Sequence, residues 1–395
     1  MPNVLTRRRT VPLATLAAGL AFAAVAGPLT PPAGPVAPTP GPEPRIAINA
    51  TNTPGDANSI FRITQPGSYY LTGNINGVSG KHGIEIAASG VTIDLNGFDL
   101  VGLPALGTFD GITAGASNLT NLTIRNGSVR DWGDDGVDLR SLPAFIATVS
   151  DIQATDNGGD GFAVDDETSF TNCISISNGA NGFLTNDSCI IRDCVAARNT
   201  GNGFQTQSGC SISASIANQN VVDGFDLGSG NTITSCAAHL NGGDGIETTT
   251  SAVVSACTVY NNTSNGISTS NGSNISGCSA RFNTLDGIRV ASQCTVINNI
   301  CTSNGNLAGD GAGIHAVGGD NRIEANNCAA ADRGIDIDFG GNVIIRNSCT
   351  SNTTNWDVVA GNVILVVTAS TSGAVVGNSG GTAPGSTDPN ANFSY

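Results

Sequence analysis

The densest group of ionisable side chains lies in the segment RDWGDDGVDLR, from Arg130 to Arg140. Carboxylates beside an arginine suit two kinds of sugar chemistry: hydrolysis by a carboxylate pair, and proton abstraction next to a uronate carboxylate. If the protein is an enzyme, we expect its catalytic groups to be Asp134, Asp135, Asp138, Arg140 and Asp165. The expected substrate-binding residues are Trp132, which would stack on a sugar ring, and Arg130, Asp110, Asp166, Glu167 and Arg289.

Metal binding is the second chemistry that these residue types could support. Carboxylate oxygens suit calcium, and Asp160 and Asp165 are the candidate ligands, although nothing in the sequence requires a cofactor. The strings GGDGF and GGDGI approach the calcium-binding nonapeptide GGxGxD, but Ala163 and Glu247 stand where its aspartate belongs. With three histidines and no CxxC pair, we expect no zinc site.

A repeat of 21 residues organises the middle of the chain. A glycine followed by Phe or Ile recurs at Gly161, Gly182, Gly203, Gly224, Gly245, Gly266 and Gly287, and looser copies occur on both sides. An asparagine stands four residues before each of these glycines, from Asn157 to Asn283. A unit this short must bury its apolar face against its neighbours, which predicts a solenoid.

One unit, from Gly182 to Asn202, contains three short stretches of alternating apolar residues separated by turn residues. Three strands and three turns per coil predict an all-β, triangular parallel β-helix. In such a coil the stacked asparagines would hydrogen-bond one another, and the glycines would provide a turn conformation or a close approach. A leucine-rich repeat has a similar period, but its leucine and asparagine spacing is absent.

The chain resembles the right-handed parallel β-helix repeat proteins of the pectate-lyase-like superfamily, especially secreted bacterial members of unassigned function. The resemblance is carried by the repeats from Gly83 to Gly334 and by the entry segment from Gln65 to Gly102. It implies a right-handed solenoid of about twelve coils. Because activities in this superfamily are diverse, it does not imply a particular reaction.

Catalytic motifs of the superfamily match this sequence poorly. Polygalacturonase-like members carry an aspartate triad followed by His-Gly and Arg-Ile-Lys, whereas here His82-Gly83 comes first and the late match is Arg322-Ile323-Glu324. The lyase motifs Arg-x-x-Pro-x-x-Arg and Asp-Pro-His are absent, and the sole lysine is Lys81, near the N-terminal end. The resemblance therefore leaves a lyase or a glycoside hydrolase as alternatives to a non-catalytic protein.

Residues two and four positions after each repeat glycine should point outward and stack into rows. The first row would run from Glu85 to Asp336, and the second from Arg140 to Asp338. The resulting polar face predicts a module that binds an extended polysaccharide or a cell-envelope glycan without catalysis. A purely structural or adhesive rod is the third hypothesis.

The eleven cysteines fall into columns at multiples of the repeat. One column holds Cys173, Cys194, Cys236, Cys257 and Cys278, with Ser215 at the remaining position; another holds Cys189, Cys210 and Cys294; Cys328 and Cys349 form a late pair. Stacked side chains point in parallel, which suits a disulfide torsion poorly. We therefore expect buried thiols that act as small apolar groups.

Composition indicates an exported, acidic, monomeric protein. The net charge of −15 disfavours nucleic acid, and no later segment is apolar for long enough to span a membrane. Residues 1–26 read as a signal peptide with a basic start, so we expect secretion or display at the cell surface. The remaining predicted regions are a proline-rich linker at 27–44, a cap with entry strands at 45–80, the β-helix at 81–368 and a low-complexity tail at 369–395.

Overall fold

The chain divides into two units, Met1–Pro44 and Arg45–Tyr395, and the fold belongs to the second. The computed structural model describes residues 45–104, 107–140, 146–305, 311–368, 375–377 and 388–395. The predicted signal peptide and linker lie outside the described residues. Within the described part every regular element is a β-strand, and no helix there could cross a membrane.

Successive coils stack three parallel ladders of strands. The first ladder, here called the front sheet, forms a separate sheet of fifteen strands. Its strands are Ser59–Ile63, His82–Ile86, Ile112–Ala114, Val137–Leu139, Phe162–Val164, Phe183–Thr185, Phe204–Thr206, Phe225–Leu227, Ile246–Thr248, Ile267–Thr269, Ile288–Val290, Ala312–Ala316, Arg333–Ile337, Thr354–Val358 and Val375–Gly377.

The second ladder also runs the length of the solenoid. Its strands are Ile46–Ala47, Gly67–Tyr70, Val91–Asp94, Leu122–Arg130, Ala147–Thr155, Ser169–Thr171, Ile190–Arg192, Ser211–Ser213, Thr232–Thr234, Val253–Ser255, Asn274–Ser276, Thr295–Ile297, Arg322–Glu324, Val343–Ile345 and Val363–Ile364. Two long strands, Leu122–Arg130 and Ala147–Thr155, bend around a corner and therefore belong to the third ladder as well.

The third ladder ends out of chain order. Its other strands are Ile75–Asn76, Asp99–Val101, Ile174–Ile176, Val195–Ala197, Ile216–Asn218, Ala237–His239, Thr258–Tyr260, Ser279–Arg281, Ile300–Thr302, Asn327–Ala329, Ser348–Thr350, Val366–Thr368 and Asn392–Ser394. The last strand of the chain, Asn392–Ser394, lies between Ser348–Thr350 and Val366–Thr368 and pairs with both. The C-terminus is thus built into the solenoid.

Single residues in the left-handed region turn the chain at the corners. In one coil they are Ser188, Asp193 and Arg198, with φ of 59°, 55° and 56°. The non-glycine residues that adopt positive φ include Leu240 and Phe282, but no Val, Ile or Thr among the described residues. This agrees with sterics, because positive φ has the highest steric cost for a β-branched side chain.

Inward side chains of the three ladders fill the core. Phe162, Phe183, Phe204 and Phe225 stack along the axis with ring centroids 4.8 Å apart, which is the spacing of paired strands. Alanine is common on the inward side of the third ladder, since that side packs against the repeat glycines. A Cβ on Gly203, for example, would lie 3.1 Å from the Cβ of Ala217.

The repeat glycines are required for close approach and not for a special φ. A Cβ on Gly203 would lie 2.6 Å from the carbonyl oxygen of Gly224 and 2.7 Å from Nδ2 of Asn220. None of the seven repeat glycines of the strict block, which runs from Gly161 to Gly287, adopts a positive φ. Of the two explanations that the sequence allowed, the structure supports the second.

The predicted asparagine ladder is present. Nδ2 of Asn199 donates to Oδ1 of Asn220 at 3.0 Å, and Nδ2 of Asn220 donates to Oδ1 of Asn241 at 3.1 Å. Each Oδ1 also accepts the backbone N–H of the preceding asparagine at 3.1 Å, as Asn220 does from Asn199. The ladder satisfies buried polar groups where the chain turns inward, and its members are Asn157, Asn178, Asn199, Asn220, Asn241, Asn262, Asn283 and Asn304.

All eleven cysteines are buried free thiols, as the columns predicted. The backbone N–H of Cys194 donates to Oγ of Ser215 at 3.2 Å, so the serine occupies the same column. The predicted late pair, Cys328 and Cys349, is part of a column of three cysteines. Cys301 is the register partner of Cys328, which pairs in turn with Cys349. Beyond Cys278 its column becomes a second asparagine ladder, through Asn299, Asn326, Asn347 and Asn392.

Two boundaries differ from those predicted. The front sheet begins at Ser59, inside the predicted cap, and has fifteen strands instead of about twelve coils. At the other end, Val375–Gly377 and Asn392–Ser394 form strands within the predicted low-complexity tail. These coils could not be recognised from the sequence because they lack the repeated Asn and Gly-Phe or Gly-Ile pattern.

Candidate functional site

The outward side chains of the front sheet form one continuous row, which we call the front row. Adjacent members are register partners throughout, which confirms the sequence prediction and extends it by Arg62 and Asp357. The members are Arg62, Glu85, Thr113, Asp138, Ala163, Leu184, Gln205, Asp226, Glu247, Ser268, Arg289, His315, Asp336 and Asp357.

The predicted second row follows the strand ends. Nδ2 of Asn186 donates to Oδ1 of Asp165 at 3.0 Å, so neighbouring members of this row contact each other. Asp165 is buried. Its carboxylate therefore contributes to the stacking of two coils, and the structure gives it no exposed position of the kind that a catalytic carboxylate needs.

Near the N-terminal end of the front row lies a group of charged side chains, which we call the N-terminal cluster: His82, Asp110, Asp134, Asp135, Asp138 and Arg140. Nη2 of Arg140 lies 2.6 Å from Oδ2 of Asp135, and its Nε lies 2.9 Å from Oδ1 of Asp138. Nδ1 of His82 lies 3.2 Å from Oδ2 of Asp110. The structure thus brings together four of the five predicted catalytic residues.

Asp135 serves the stacking of coils as much as the cluster. Its Oδ1 accepts the backbone N–H of Asp160 at 2.6 Å, while its own backbone N–H donates to Oδ1 of Asp110. The same bond recurs along a column that we call the Asx ladder: Asp110, Asp135, Asp160, Asn181, Asn202, Asp223, Asp244, Asn265 and Asp286. The sequence pattern does not reveal these bonds, because they join residues of different coils.

Burial dominates the electrostatics of the N-terminal cluster. It raises the pKa of Asp135 to about 8, helped by the charge of Asp160 and opposed by Arg140. Burial also raises the pKa of Asp160, and burial together with Asp110 raises that of Asp134. At neutral pH Asp135 therefore tends to retain a proton that an isolated carboxyl group would release.

The spacing of the carboxylates does not suit an inverting glycosidase. Asp110, Asp135 and Asp138 each offer one oxygen, and these three oxygens lie within 4.8 Å of one another. An inverting pair needs about 6.5–9.5 Å to leave room for a water molecule. The expected separation is therefore not found in this group.

Trp132 cannot stack on a sugar, which corrects the sequence prediction. Its side chain is only 3% exposed and belongs to the hydrophobic core. Nε1 donates to the carbonyl oxygen of Leu100 at 3.3 Å, and the ring lies against Gly83, where a Cβ would come within 2.9 Å of it. A tryptophan this large fits inside because glycines face it.

Of the other predicted binding residues, Asp110 belongs to the cluster and the remaining four do not converge on it. Arg130 ends a strand of the third ladder and pairs with Asp131 at 2.7 Å, away from the front row. Asp166 and Glu167 lie at a corner, and Oδ1 of Asp166 accepts the backbone N–H of Asp187 at 3.0 Å. Arg289 is in the front row, but next to His315 at the opposite end.

The predicted calcium ligands are used within the Asx ladder and the second row. Oδ1 of Asp160 accepts the backbone N–H of Asn181 at 2.7 Å, and Oδ1 of Asp165 accepts from Asn186. The carboxylates that do converge are Asp110, Asp135 and Asp138. Arg140 already contacts two of them, so its positive charge occupies the place that a cation would take.

A second cluster, which the sequence analysis did not single out, lies near the C-terminal end of the front row. We call Asp286, His315, Arg333, Asp336 and Asp338 the C-terminal cluster. Nδ1 of His315 lies 2.9 Å from Oδ2 of Asp286, and its Nε2 lies 3.2 Å from Oδ2 of Asp338 and 3.8 Å from that of Asp336. Proximity in sequence could not reveal this group, because His315 and Asp286 are 29 residues apart.

The histidine of this cluster is held in its charged form. Burial opposes protonation, but the hydrogen bond with Asp286 and the charges of Asp286 and Asp336 outweigh it and raise the pKa of His315 to about 9. Burial raises the pKa of Asp336 to about 6, against the effect of His315 and Arg333. Arg333 also binds Asp357 at 3.2 Å, which links the cluster to the next coil.

A shallow pocket of about 310 Å³ opens beside the N-terminal cluster. Its lining includes His82, Glu85, Phe109 and Thr113, so it combines polar groups of the front row with an aromatic ring. The rings of His82 and Phe109 meet edge to face, with centroids 5.1 Å apart. The pocket could accept one small polar group or one sugar unit.

Comparisons with known proteins agree with this architecture. Residues 205–330 match the family model described as a right-handed beta helix region. The A-module of the mannuronan C-5 epimerase AlgE6 of Azotobacter vinelandii has a similar structure, with a TM-score of 0.51 and 15% identity, over 83% of this chain and 89% of that chain. No curated protein matches the sequence.

Two further solved structures are similar with lower scores. The A-module of the mannuronan C-5 epimerase AlgE4 of Azotobacter vinelandii has a TM-score of 0.43 and 15% identity, over 71% of this chain and 86% of that chain. Pectate lyase Pel9A has a TM-score of 0.32 and 16% identity, over 80% of this chain and 74% of that chain.

The β-helix fold is thus shared with a module of a carbohydrate-active enzyme, a mannuronan epimerase. At this level of identity the likeness establishes the fold alone. The three parallel ladders, the matched repeat region and the similar epimerase module together show that this chain folds as a right-handed parallel β-helix.

Proposed function

We propose that this protein is an exported or cell-surface module that binds an extended polysaccharide along the front row, without catalysis. The observation that carries the proposal is the unbroken register of the row over the front sheet, from Arg62 to Asp357. A linear glycan presents repeated hydroxyl groups along one direction. A row of side chains about 4.8 Å apart, polar at every position except Ala163 and Leu184, presents repeated partners in the same way.

The chemistry of the row narrows the class of glycan. Six members are carboxylates and only Arg62, Arg289 and His315 can carry positive charge; the carboxylates are Glu85, Asp138, Asp226, Glu247, Asp336 and Asp357. A neutral glycan would bind through hydroxyl hydrogen bonds. An acidic glycan would require calcium to bridge its carboxylates to those of the row.

The use of the candidate catalytic groups supports binding over catalysis. Asp135 and Asp165 are buried and accept hydrogen bonds from adjacent coils. The charge of Arg140 is already shared between Asp135 and Asp138. A general base or acid must reach the substrate, and these groups are engaged within the protein.

Binding is tested by retention of the protein on immobilised neutral and uronic-acid polysaccharides, with calcium or with a chelator. The test variant is Gln205→Ala with Glu247→Ala, which truncates two outward residues of the front row. The matched control is Thr232→Ala with Asn274→Ala, which truncates two exposed residues of the second ladder. We expect at least ~10-fold weaker binding for the front-row variant only, since several weak contacts add along a chain.

Other outcomes identify the alternatives. Equal loss in both double variants, or retention of neither the protein nor its variants on any glycan, would contradict the proposal and favour a structural or adhesive rod. Release of new reducing ends or of unsaturated uronates would instead indicate a hydrolase or lyase. The pocket beside His82 is the observation that favours such an enzyme, and Asp138→Asn should then abolish product formation.

A further inference from the structure

The C-terminal cluster has the donor set and the spacing of a metal site. His315 offers Nε2, and Asp336 and Asp338 each offer a carboxylate oxygen, all within 4.8 Å of one another. Two ligands about 2.0–2.1 Å from a tetrahedral zinc ion lie ~3.3 Å apart. The distances of 3.2 Å and 3.8 Å from Nε2 to the two carboxylates are close to that separation.

The orientation of the imidazole is an observation independent of the two carboxylate ligands. Asp286, on the opposite side of the ring, is 4% exposed and lies 2.9 Å from Nδ1. Since an ionised carboxylate only accepts hydrogen bonds, Nδ1 donates to Asp286, and this fixes Nε2 in the direction of Asp336 and Asp338. A carboxylate that orients a histidine from behind is the usual support of a protein-bound metal ion.

The position of Asp286 is itself fixed by the solenoid. Its Oδ1 accepts the backbone N–H of Ala312 at 2.8 Å, as the last member of the Asx ladder. Its Oδ2 is thereby left for His315. The front sheet positions the other groups, because His315 and Asp336 are register partners and Asp338 follows the same strand as Asp336.

The charges around the site suit a divalent cation. Asp286, Asp336, Asp338 and Asp357 supply four negative charges, and Arg333 supplies one positive charge to Asp336 and Asp357. The carboxylates therefore outnumber the arginine by three, and a divalent cation would offset most of this excess.

We propose that His315, Asp336 and Asp338 bind a divalent transition-metal ion, such as zinc, with Asp286 orienting the histidine. Three protein ligands leave a fourth position open to water or to an oxygen of a ligand from outside, as in exposed zinc sites. The mixed nitrogen and oxygen ligands select zinc over calcium and magnesium. On binding, the metal replaces the Nε2 proton, which passes to solvent.

The N-terminal cluster provides the contrast within the same molecule. There Arg140 contacts two of the three converging carboxylates, Asp135 and Asp138, whereas in the C-terminal cluster Arg333 contacts Asp336 and leaves Nε2 of His315 facing Asp338. We therefore expect one zinc ion per chain, held at the C-terminal end of the front row. This inference does not depend on the proposed glycan binding.

The test is calorimetric titration of the metal-stripped full-length protein with zinc chloride, together with anomalous diffraction from zinc-soaked crystals. We expect saturable binding of one ion and an anomalous peak within about 2.3 Å of Nε2 of His315. His315→Gln and Asp338→Asn should each weaken binding by at least ~10-fold. Asp286→Asn should weaken it by ~10–100-fold through loss of the orienting carboxylate.

Two features keep the test decisive. Asn181, Asn202 and Asn265 occupy the position of Asp286 in other coils, so Asp286→Asn should fold, and circular dichroism checks this. The control is His239→Gln, since the ring of His239 stacks on Tyr260 at 4.7 Å, on the third ladder. Absence of saturable zinc binding, a peak at another site, or equal loss in the control would overturn the proposal.

Discussion

The N-terminal and C-terminal clusters contain residues at the same positions of the repeat, but the charges at one of these positions are opposite. Two residues after the repeat glycine, both carry an aspartate, Asp138 in one and Asp336 in the other. Four residues after it, the first carries Arg140 and the second Asp338. The arginine satisfies the neighbouring carboxylates within the protein, whereas the aspartate adds negative charge around His315. The residue at this position thus determines whether an arginine or a further carboxylate lies near the aspartate of the front row, while in the C-terminal cluster Arg333 contacts Asp336 from another position.

Between the clusters lies the strict block of repeats, in which the front row carries uncharged groups such as Ala163, Leu184 and Gln205 before Asp226 and Glu247. Here the regular ladders hold the two clusters in fixed positions along one sheet. The largest effects on stability should therefore come from this block, and the clusters should instead control how stability depends on pH.

The largest effect is expected for Asn220→Ala, in the asparagine ladder between the clusters. The substitution removes the acceptor of the backbone N–H of Asn199 and the donor to the carbonyl oxygen of Ala196. Each buried group left without a partner costs about 1–3 kcal/mol, so we expect at least about 3 kcal/mol in the free energy of unfolding.

Chemical denaturation measures this difference. The control is Gln205→Ala, an outward residue of the front row in the same coil, for which we expect a change within about 0.5 kcal/mol. Equal effects of the two substitutions would mean that the asparagine ladder contributes no more than a surface amide.

The sequence predicted the fold because the repeat is visible in residue identity. A period of 21 residues, with Gly161 and Asn157 recurring in register, indicates both the coil and the front row. The corners were not predictable from residue type, since Arg198, Leu240 and Phe282 adopt positive φ without being turn formers. Stacking on adjacent coils decides their conformation.

The candidate site was predictable only where its residues are close in sequence. Asp135, Asp138 and Arg140 form one short segment, so their contacts could be expected. The pairing of His315 with Asp286 depends on an altered repeat length, because these residues are 29 positions apart. The burial of Trp132 could not be read from the sequence, since it depends on glycines in other coils.

A substitution in the N-terminal cluster should have the next largest effect on the free energy of unfolding, and this effect should increase with pH. Because burial raises the pKa of Asp135 from 3.8 to about 8, the folded state binds a proton that the unfolded state has lost between these values. The stability contributed by this group is therefore lost as the pH rises from about 4 to about 8. Asp135→Asn should remove this loss.

The measurement compares the free energies of unfolding of wild type and Asp135→Asn at several pH values. Near pH 5 we expect similar stability, since a protonated carboxyl and an amide are alike in charge. At about pH 9 the variant should be the more stable protein. Asn181 holds the same ladder position, so an amide fits there. A difference that does not vary with pH would show that Asp135 titrates normally.

The stability contributed by the C-terminal cluster should change in a higher range of pH. In protein stripped of divalent cations, the raised pKa of His315 contributes stability that is complete below pH 6.5 and is lost as the pH rises through about 9. His315→Gln should therefore be less stable than wild type at low pH, and the difference should close above that value.

His239→Gln is the matched comparison. Burial lowers the pKa of His239, so its contribution is lost as the pH falls below 6.5, in the opposite direction. If the stability difference from wild type changed with pH in the same direction for both histidine variants, the assigned role of Asp286 would be contradicted. The two pH profiles thus test whether the carboxylates around His315 distinguish it from an ordinary histidine on the solenoid.

The smallest effect is expected within the cysteine column of the strict block. Cys236→Ser should cost about 1 kcal/mol or less, because Ser215 occupies the adjacent position and donates to the carbonyl oxygen of Ser213 at 2.9 Å. Sγ of Cys236 lies 3.3 Å from the equivalent carbonyl of Thr234, so a hydroxyl finds the same partner.

Cys328→Ser should cost more, about 1–3 kcal/mol, since Cys328 is fully buried between the register partners Cys301 and Cys349. Unfolding of both variants, alongside thiol titration of the protein with and without denaturant, measures this. We expect eleven thiols in denaturant and little reaction in the native state. Fewer than eleven would reveal disulfides, and equal cost of the two serines would mean that column position does not matter. If the two costs were equal, the strict block would differ from the clusters only in charge, and not in how strongly each buried position requires a particular residue.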